Sequence, residues 1–203
     1  MIEQLILVRH GETVHNVAGL AQGWGDSALS ERGQRQVAAL ASRVARMKPA
    51  AIFSSPLQRA RTTADAIAGS SGLDVQLVDD LREMNYGTWE GKSFLDVRRN
   101  DEESYRRWIS DFDFPSPEGE SHQHVFDRMS RALETMRTAA NGHPVVAVTH
   151  GNAIRIAATL LLELPLSASR NLAQDNAAIN IFLWRGDRYV LKVWNDNTHC
   201  EER

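Results

Sequence analysis

Leu5-Ile6-Leu7-Val8-Arg9-His10-Gly11 is the stretch on which the fold turns. Four apolar residues in a row show no alternation, so neither face of the strand they form belongs in water. Strands of that kind lie in parallel sheets covered by helices on both sides. The run stops at a charged pair and a glycine, where the strand should end. The layout recurs in Val145-Val146-Ala147-Val148, followed by Thr149-His150-Gly151-Asn152 and an apolar helix reaching Leu162.

Working outward, Ser30 is an N-cap for a helix with Val37, Leu40, Ala41, Val44 and Met47 at helical spacing, ended by Lys48-Pro49. Ala51-Ile52-Phe53 reads as a short strand. Ser55-Pro56 reads as an N-cap with proline in the first turn, and Leu57, Ala60, Ala64 and Ile67 form that helix's apolar stripe. Val75 to Val78 is a third strand. Val125, Met129, Leu133 and Met136 mark a long helix. Ile179 to Trp184 and Tyr189 to Trp194 form a hairpin around Arg185-Gly186-Asp187. Strands alternating with helices predict an α/β fold with a largely parallel sheet, and the hairpin adds an antiparallel edge. Residues 92–118 break the pattern. They carry many charges, the aromatics Phe94, Tyr105, Trp108, Phe112 and Phe114, and then Pro115-Ser116-Pro117. Short helices and an irregular loop are expected there, as an excursion from the sheet.

A chain of 203 residues favours one domain, 1–203, and buries roughly 70% of its unfolded surface. A net charge of −3 gives no global field for nucleic acid or an anionic membrane. No basic leader precedes an apolar stretch, and no apolar run approaches the ~20 residues of a membrane span. The single cysteine, Cys200, has no disulfide partner. A cytoplasmic protein is expected, with no nucleic-acid or membrane partner. The exposed edge of the closing hairpin leaves monomer and homodimer both open.

The chemistry gathers at strand ends. In parallel α/β sheets ligands bind beyond the carboxyl ends of the strands, so His10 and His150 should share one crevice. Ser54-Ser55-Pro56-Leu57-Gln58-Arg59 brings Arg59 to the same edge in a first helical turn. Two histidines, Arg9, Arg59 and a helix N-terminus suit a dianionic phosphate, because guanidiniums fork onto its oxygens and free N–H groups add positive charge. His122 and His124 suggest a metal pair, but i, i+2 spacing splits them between helix faces and no third ligand is evident, so a solvated helix start is expected. Arg106-Arg107, between Tyr105 and Trp108, is expected to be the wet face of a helix rather than an anion site.

Arg9-His10-Gly11-Glu12-Thr13, with Asn16 three residues on, resembles the signature of the histidine phosphatase superfamily, also called the phosphoglycerate mutase-like family. Gln22-Gly23, Leu29-Ser30-Glu31-Arg32-Gly33, Ser54 to Ala60, Leu81-Arg82-Glu83, Tyr86-Gly87, Trp89-Glu90-Gly91, Gly119-Glu120-Ser121 and His150-Gly151 follow the family's order. The resemblance covers nearly the whole chain. It implies a three-layer α/β/α sandwich with the excursion over the active site. It assigns His10 as the nucleophile that becomes a phosphohistidine. Arg9, Arg59 and His150 hold the equatorial oxygens, and Glu83 is the general acid and then base. To donate, Glu83 must first hold a proton, which a partly desolvated pocket and the phosphate charge would favour. Asn16, Gln22 and backbone N–H groups near Gly11, Gly23 and Gly151 complete the cradle. No metal and no cofactor are required, and the expected partner is a small-molecule phosphomonoester. Two departures set the chain apart from the family's mutases. His15 stands where they carry tryptophan, and Met84 follows Glu83 where they carry arginine. Both favour transfer of the phosphoryl group to water. Mutase-type transfer, with Arg106-Arg107 substituting, is the alternative. A catalytically silent phosphate-binding scaffold is a reading from another class, opposed by the presence of every catalytic group.

Overall fold

The computed structural model describes residues 3–139 and 143–200; Met1 and Ile2, which the leader reading includes, lie outside the described residues. The chain opens with β1 (Gln4–Arg9), a single turn α1 (Val14–Val17) and α2 (Glu31–Ala45). Ser30 caps α2, its side chain accepting from Gly33 N. Next come β2 (Ala51–Ser54), α3 (Gln58–Ser71) and β3 (Val75–Leu77), the last one residue shorter than its pattern predicts. The N-cap of α3 is Leu57, which makes no side-chain cap bond. Ser55, the cap its sequence predicts, lies two residues earlier: its Oγ accepts from Leu57 N at 3.3 Å and also bonds the imidazole of His150 at 2.8 Å. The excursion holds α4 (Phe94–Asn100) and α5 (Glu102–Ser110). The chain closes with α6 (His122–Ala139), β4 (Val145–Thr149), α7 (Gly151–Leu161), β5 (Ile179–Trp184) and β6 (Tyr189–Asp196).

The six strands form one sheet in the order β3-β2-β4-β1-β5-β6. The first four are parallel to their neighbours, and β5 and β6 run antiparallel. The apolar runs are buried on both faces, as their lack of alternation requires. Leu5, Leu7, Phe53, Val145 and Ala147 face α6, α7 and the aromatics of the excursion. Ile6, Val8, Ile52, Val146 and Val148 face α2 and α3. Helices therefore cover each side of the sheet, giving the α/β/α sandwich. No helix among the described residues is long and apolar enough to cross a membrane.

β1 and β4 are neighbours, with Arg9 paired to Thr149. One further bond, His10 N to Thr149 O at 3.1 Å, carries the pairing past the strand ends. That register puts residues 10 and 150 side by side.

Candidate active site

The two histidine rings lie 5.2 Å apart between centroids and are tilted by 57°. His10 is 3% exposed and His150 is fully buried. His10 Nδ1 lies 2.7 Å from Gly11 O. A carbonyl oxygen only accepts, so in the neutral ring Nδ1 carries the hydrogen and Nε2 keeps its lone pair. Burial, and then the charges of Arg59 and Arg9, hold His10 well below the usual imidazole range. The ring is neutral at pH 7 and fit to be a nucleophile. Burial and Arg59 do the same for His150.

Behind His10 the backbone is clamped. A Cβ on Gly33 would stand 2.0 Å from Glu12 O, and one on Gly11 would stand 2.8 Å from Gly33 O. Two glycines thus let the first turn of α2 press against the His10 loop. Glu12 itself accepts from Ser30 Oγ at 2.7 Å and pairs with Arg32 at 3.4 Å, a structural partner. Thr13 and Asn16 form a capping box across α1, and Thr13 Oγ1 donates to Gln22 Oε1 at 2.7 Å.

A cavity of about 190 Å³ lies over this strand edge, lined by Arg9, His10, Asn16, Gln22, Glu83, Gly151 and Arg155, among others. Several buried polar atoms around it have no partner in the protein: Arg9 Nε, Gln22 Nε2, His150 Nδ1 and the side-chain amide of Gln174. Orphaned buried groups are few in folded proteins, so their concentration here marks a site for a polar ligand. No carboxylate among the described residues lies within ion-pair distance of Arg9. It donates through Nη1 to Gln174 O. Asn16 spends Oδ1 on Thr13 N and Asn176 Nδ2, and Gln22 spends Oε1 on Thr13, so each turns an amide N–H₂ to other uses.

Arg59 is placed differently from the other cavity groups. Its guanidinium, 2% exposed, donates to Gly25 O, Asp26 Oδ1 and Gly23 O at 2.7–2.9 Å and to Gln22 O at 3.5 Å. The Nη hydrogens are thereby spent on the 22–26 loop, and only Nε lacks a partner. Neither Arg59 nor the fully buried His150 is among the cavity's lining residues, and the charge of Arg59 acts on both histidines. Gly23 is off the cavity too, and its carbonyl serves Arg59. A Cβ on it would stand 2.0 Å from Glu90 Oε1, the carboxylate that accepts from Trp24 N and whose other oxygen accepts from Gly25 N. Gly11 N donates to Thr63 Oγ1 at 3.2 Å and is not free. Gly151, by contrast, opens α7 at the cavity, and a Cβ there would stand 3.3 Å from Arg9 Nε.

Glu83 is 7% exposed and sits at the N-terminus of α7. Its carboxylate accepts from Met84 N at 2.8 Å, Asn152 N at 3.1 Å and Ala153 N at 3.2 Å. These are surroundings for an anion. Arg128, 5% exposed, fixes the turn that carries it. It donates to the carbonyls of Asp80, Arg82 and Glu83 while pairing with Glu120 at 2.9 Å.

Arg155, Gln174 and Arg128 carry weight that the sequence did not announce. Arg155 was within reach, since it follows Gly151 by four residues and so shares its face of the helix. The other two had no local signal. Arg106 and Arg107 stay out of the site, as expected: both are exposed, and Arg107 pairs with Asp111 at 3.7 Å and lies 4.2 Å over Phe114. His124 is exposed, but His122 is not solvated. It is 4% exposed and packs on Trp108 and Phe112 at 4.7 and 5.0 Å, because the excursion folds over the start of α6.

Residues 5–197 match the profile of the Histidine phosphatase superfamily (branch 1). A probable phosphoglycerate mutase, GpmB of Shigella boydii, is 36% identical over 205 residues, covering 98% of this chain and 95% of that protein. Among solved structures, mycobacterial glucosyl-3-phosphoglycerate phosphatase in complex with VO3 superposes with a TM-score of 0.86 at 32% identity, over 95% of this chain and 99% of the other. A putative α-ribazole-5'-P phosphatase from Escherichia coli gives 0.89 at 26% identity, over 97% and 98%.

Proposed function

This chain belongs to the histidine phosphatase superfamily, and on that footing we propose that it hydrolyses phosphomonoesters through a phosphohistidine on His10, with no metal taking part. One observation carries the reading: Gly11 O holds the Nδ1 hydrogen of a buried neutral ring beside a cavity rich in unpartnered donors. Nε2 of His10 attacks phosphorus as the bond to the ester oxygen breaks. Glu83 is the general acid and gives a proton to that oxygen. The phosphorylated ring keeps Nδ1–H on Gly11 O and carries positive charge. Glu83, now a carboxylate, takes a proton from water as the water attacks phosphorus, and His10 recovers its lone pair. Arg9, Gln22 Nε2, Asn16 Nδ2 and His150 Nδ1 are the donors for the equatorial oxygens, where charge must be held in the transition state. Arg59 contributes field more than contact, because its Nη hydrogens are committed to the loop.

The substrate is taken to be a small cytoplasmic ester. Rapid-quench mixing with a generic phosphomonoester should leave an acid-labile phosphate on His10, unaffected by a chelator and blocked by vanadate. Steady turnover by His10→Ala, without such an adduct, would sink the mechanism.

A mutase reading has one observation in its favour: the Shigella boydii relative is named a probable phosphoglycerate mutase. Against it, Met84 is fully buried and offers no charge to a substrate carboxylate. 3-Phosphoglycerate with trace 2,3-bisphosphoglycerate decides the matter: free phosphate is expected, and 2-phosphoglycerate would overturn hydrolysis.

A further inference from the structure

His150 stands between two strand ends. β4, which leads to it, lies between β2 and β1 in the sheet. Arg9 pairs with Thr149 on one side, and Ser54 pairs with Val148 on the other. The residues that follow those strands, His10 and Ser55, therefore flank the His150 ring. The His10 ring lies 5.2 Å away between centroids, and the Ser55 hydroxyl lies 2.8 Å from His150 Nε2. Ser55 does not line the phosphate cavity, so any part it plays runs through His150.

Ser55 is fully buried, and each of its polar atoms is engaged. Its N–H donates to Val148 O at 3.0 Å, and its carbonyl accepts from Ser54 Oγ at 2.8 Å. Its hydroxyl has two partners among the described residues, Leu57 N at 3.3 Å and His150 Nε2. An amide N–H only donates, so the one acceptor offered to the serine hydrogen is the Nε2 lone pair.

The His150 ring is neutral at pH 7, because burial and then Arg59 hold it well below the usual imidazole range, and it carries a single hydrogen. With that hydrogen on Nε2, the Ser55 hydrogen would be buried with no acceptor, and Nδ1 would be a bare lone pair, buried without a partner. With the hydrogen on Nδ1, the bond to Ser55 is complete and only the Nδ1 hydrogen waits for a partner. The second arrangement leaves one fewer orphan in the interior.

The choice decides what His150 offers a ligand. Phosphoryl oxygens only accept, so an Nδ1 hydrogen attracts one and a bare Nδ1 repels it. We propose that Ser55 is a positioning residue: by donating its hydroxyl hydrogen to Nε2, it fixes His150 in the tautomer that holds the Nδ1 hydrogen for the transferring phosphoryl group. The proposal rests on the hydrolytic reading above and adds to it what makes His150 a donor. The two histidines then share a tautomer set by opposite means. On His10 an acceptor, Gly11 O, holds the Nδ1 hydrogen and leaves Nε2 to attack. On His150 a donor occupies Nε2 and leaves Nδ1–H to bind.

Nitrogen-15 NMR of histidine-labelled protein reads the hydrogen directly, with the His150 signals assigned by their loss in His150→Gln. The unaltered protein should show a protonated Nδ1 and a bare Nε2. In Ser55→Ala part of the population should move the hydrogen to Nε2. Its kcat with 4-nitrophenyl phosphate should fall about 10- to 100-fold while KM changes less than about 3-fold, since a transition-state donor is weakened rather than removed. Ser55→Cys, nearly the same size with a weak S–H donor, should fall between the two in both tautomer and kcat. Should Ser55→Ala fail to fold, the unaltered spectrum and Ser55→Cys carry the test. A bare Nδ1 in the unaltered protein, a tautomer that both substitutions leave unchanged, or undiminished kcat in Ser55→Ala overturns the proposal. The expected tautomer in a protein that hydrolyses no phosphomonoester would sink the reaction and keep the Ser55–His150 pairing. Normal hydrolysis with Nε2 protonated would do the reverse.

Discussion

The phosphate cavity and the aromatic compartment beside it, a second cavity of about 280 Å³, share Tyr86, Phe94, Asn152 and Arg155 as a wall but are built from different materials. The first is assembled by backbone: the β1–β4 register, the capped turn α1, the N-terminus of α7 and two glycines hold His10, His150 and Glu83 where they stand. The second is assembled by side chains, from Phe94, Tyr105 and Trp108 of α4 and α5, His122 of α6 and Arg155 of α7, with ring contacts such as Tyr86–Phe94 at 5.3 Å and Trp89–Trp108 at 5.6 Å. Bond making needs groups that are already in place when charge develops. Recognition of a leaving group can be re-specified by exchanging side chains on an excursion. Changes in the first region should therefore appear in kcat, and changes in the second in KM, substrate ranking or stability.

The largest effect belongs to His10→Ala, which should lower kcat by on the order of 10⁴-fold or more while the circular dichroism spectrum is kept. Glu83→Gln should cost about 10²- to 10⁴-fold with an alkyl phosphate, and far less with 4-nitrophenyl phosphate, whose leaving group needs no proton. Equal losses on both esters would remove Glu83 from proton transfer. Trp108→Ala should lower the free energy of unfolding by about 3–5 kcal/mol in urea titrations, since it empties the centre of the aromatic cluster. Its kcat with 4-nitrophenyl phosphate should fall much less than that of His10→Ala, and a collapse to the same level would erase the distinction between the regions. The smallest effect concerns pH. His122 is near 4 when folded and about 6.5 when unfolded, so below pH 6.5 the unfolded chain binds protons that the folded one refuses. Stability should fall from pH 6.5 toward pH 4, and His122→Gln should recover on the order of 2 kcal/mol of that loss. His10 and His150, also depressed, act in the same direction and leave part of the slope in place.

The contrast also explains what could be read from residues alone. Leu5 to Val8 and Val145 to Val148 announced strands buried on both faces, and the groups following each run had to meet once those strands paired. His10, His150 and the α/β fold were legible because the periodic signal and the chemistry lie on one segment. Arg128 and Gln174 were not, since each reaches the site from a segment whose approach depends on tertiary packing. Ser55 had the look of a cap, and only the arrival of His150 shows where its hydroxyl goes. His122 looked wet at a helix start because the cover comes from Trp108 and Phe112, on a different stretch. Arg59 was recognisable as a cation at the edge, but not as one whose Nη hydrogens a loop already uses.

The glycine contact behind His10 has a thermal consequence. Because Gly33 and Gly11 bring two backbones together, with the stiff β-branched Val37 side chain closing the rest of the contact, the nucleophile's loop has a firm backstop with few rotamers to spare. The entropy of holding the ring in line is surrendered during folding and not again at each turnover. The chemical step of Gly33→Ala would therefore lose activity as a less favourable activation entropy, seen in the intercept of an Eyring plot more than in its slope.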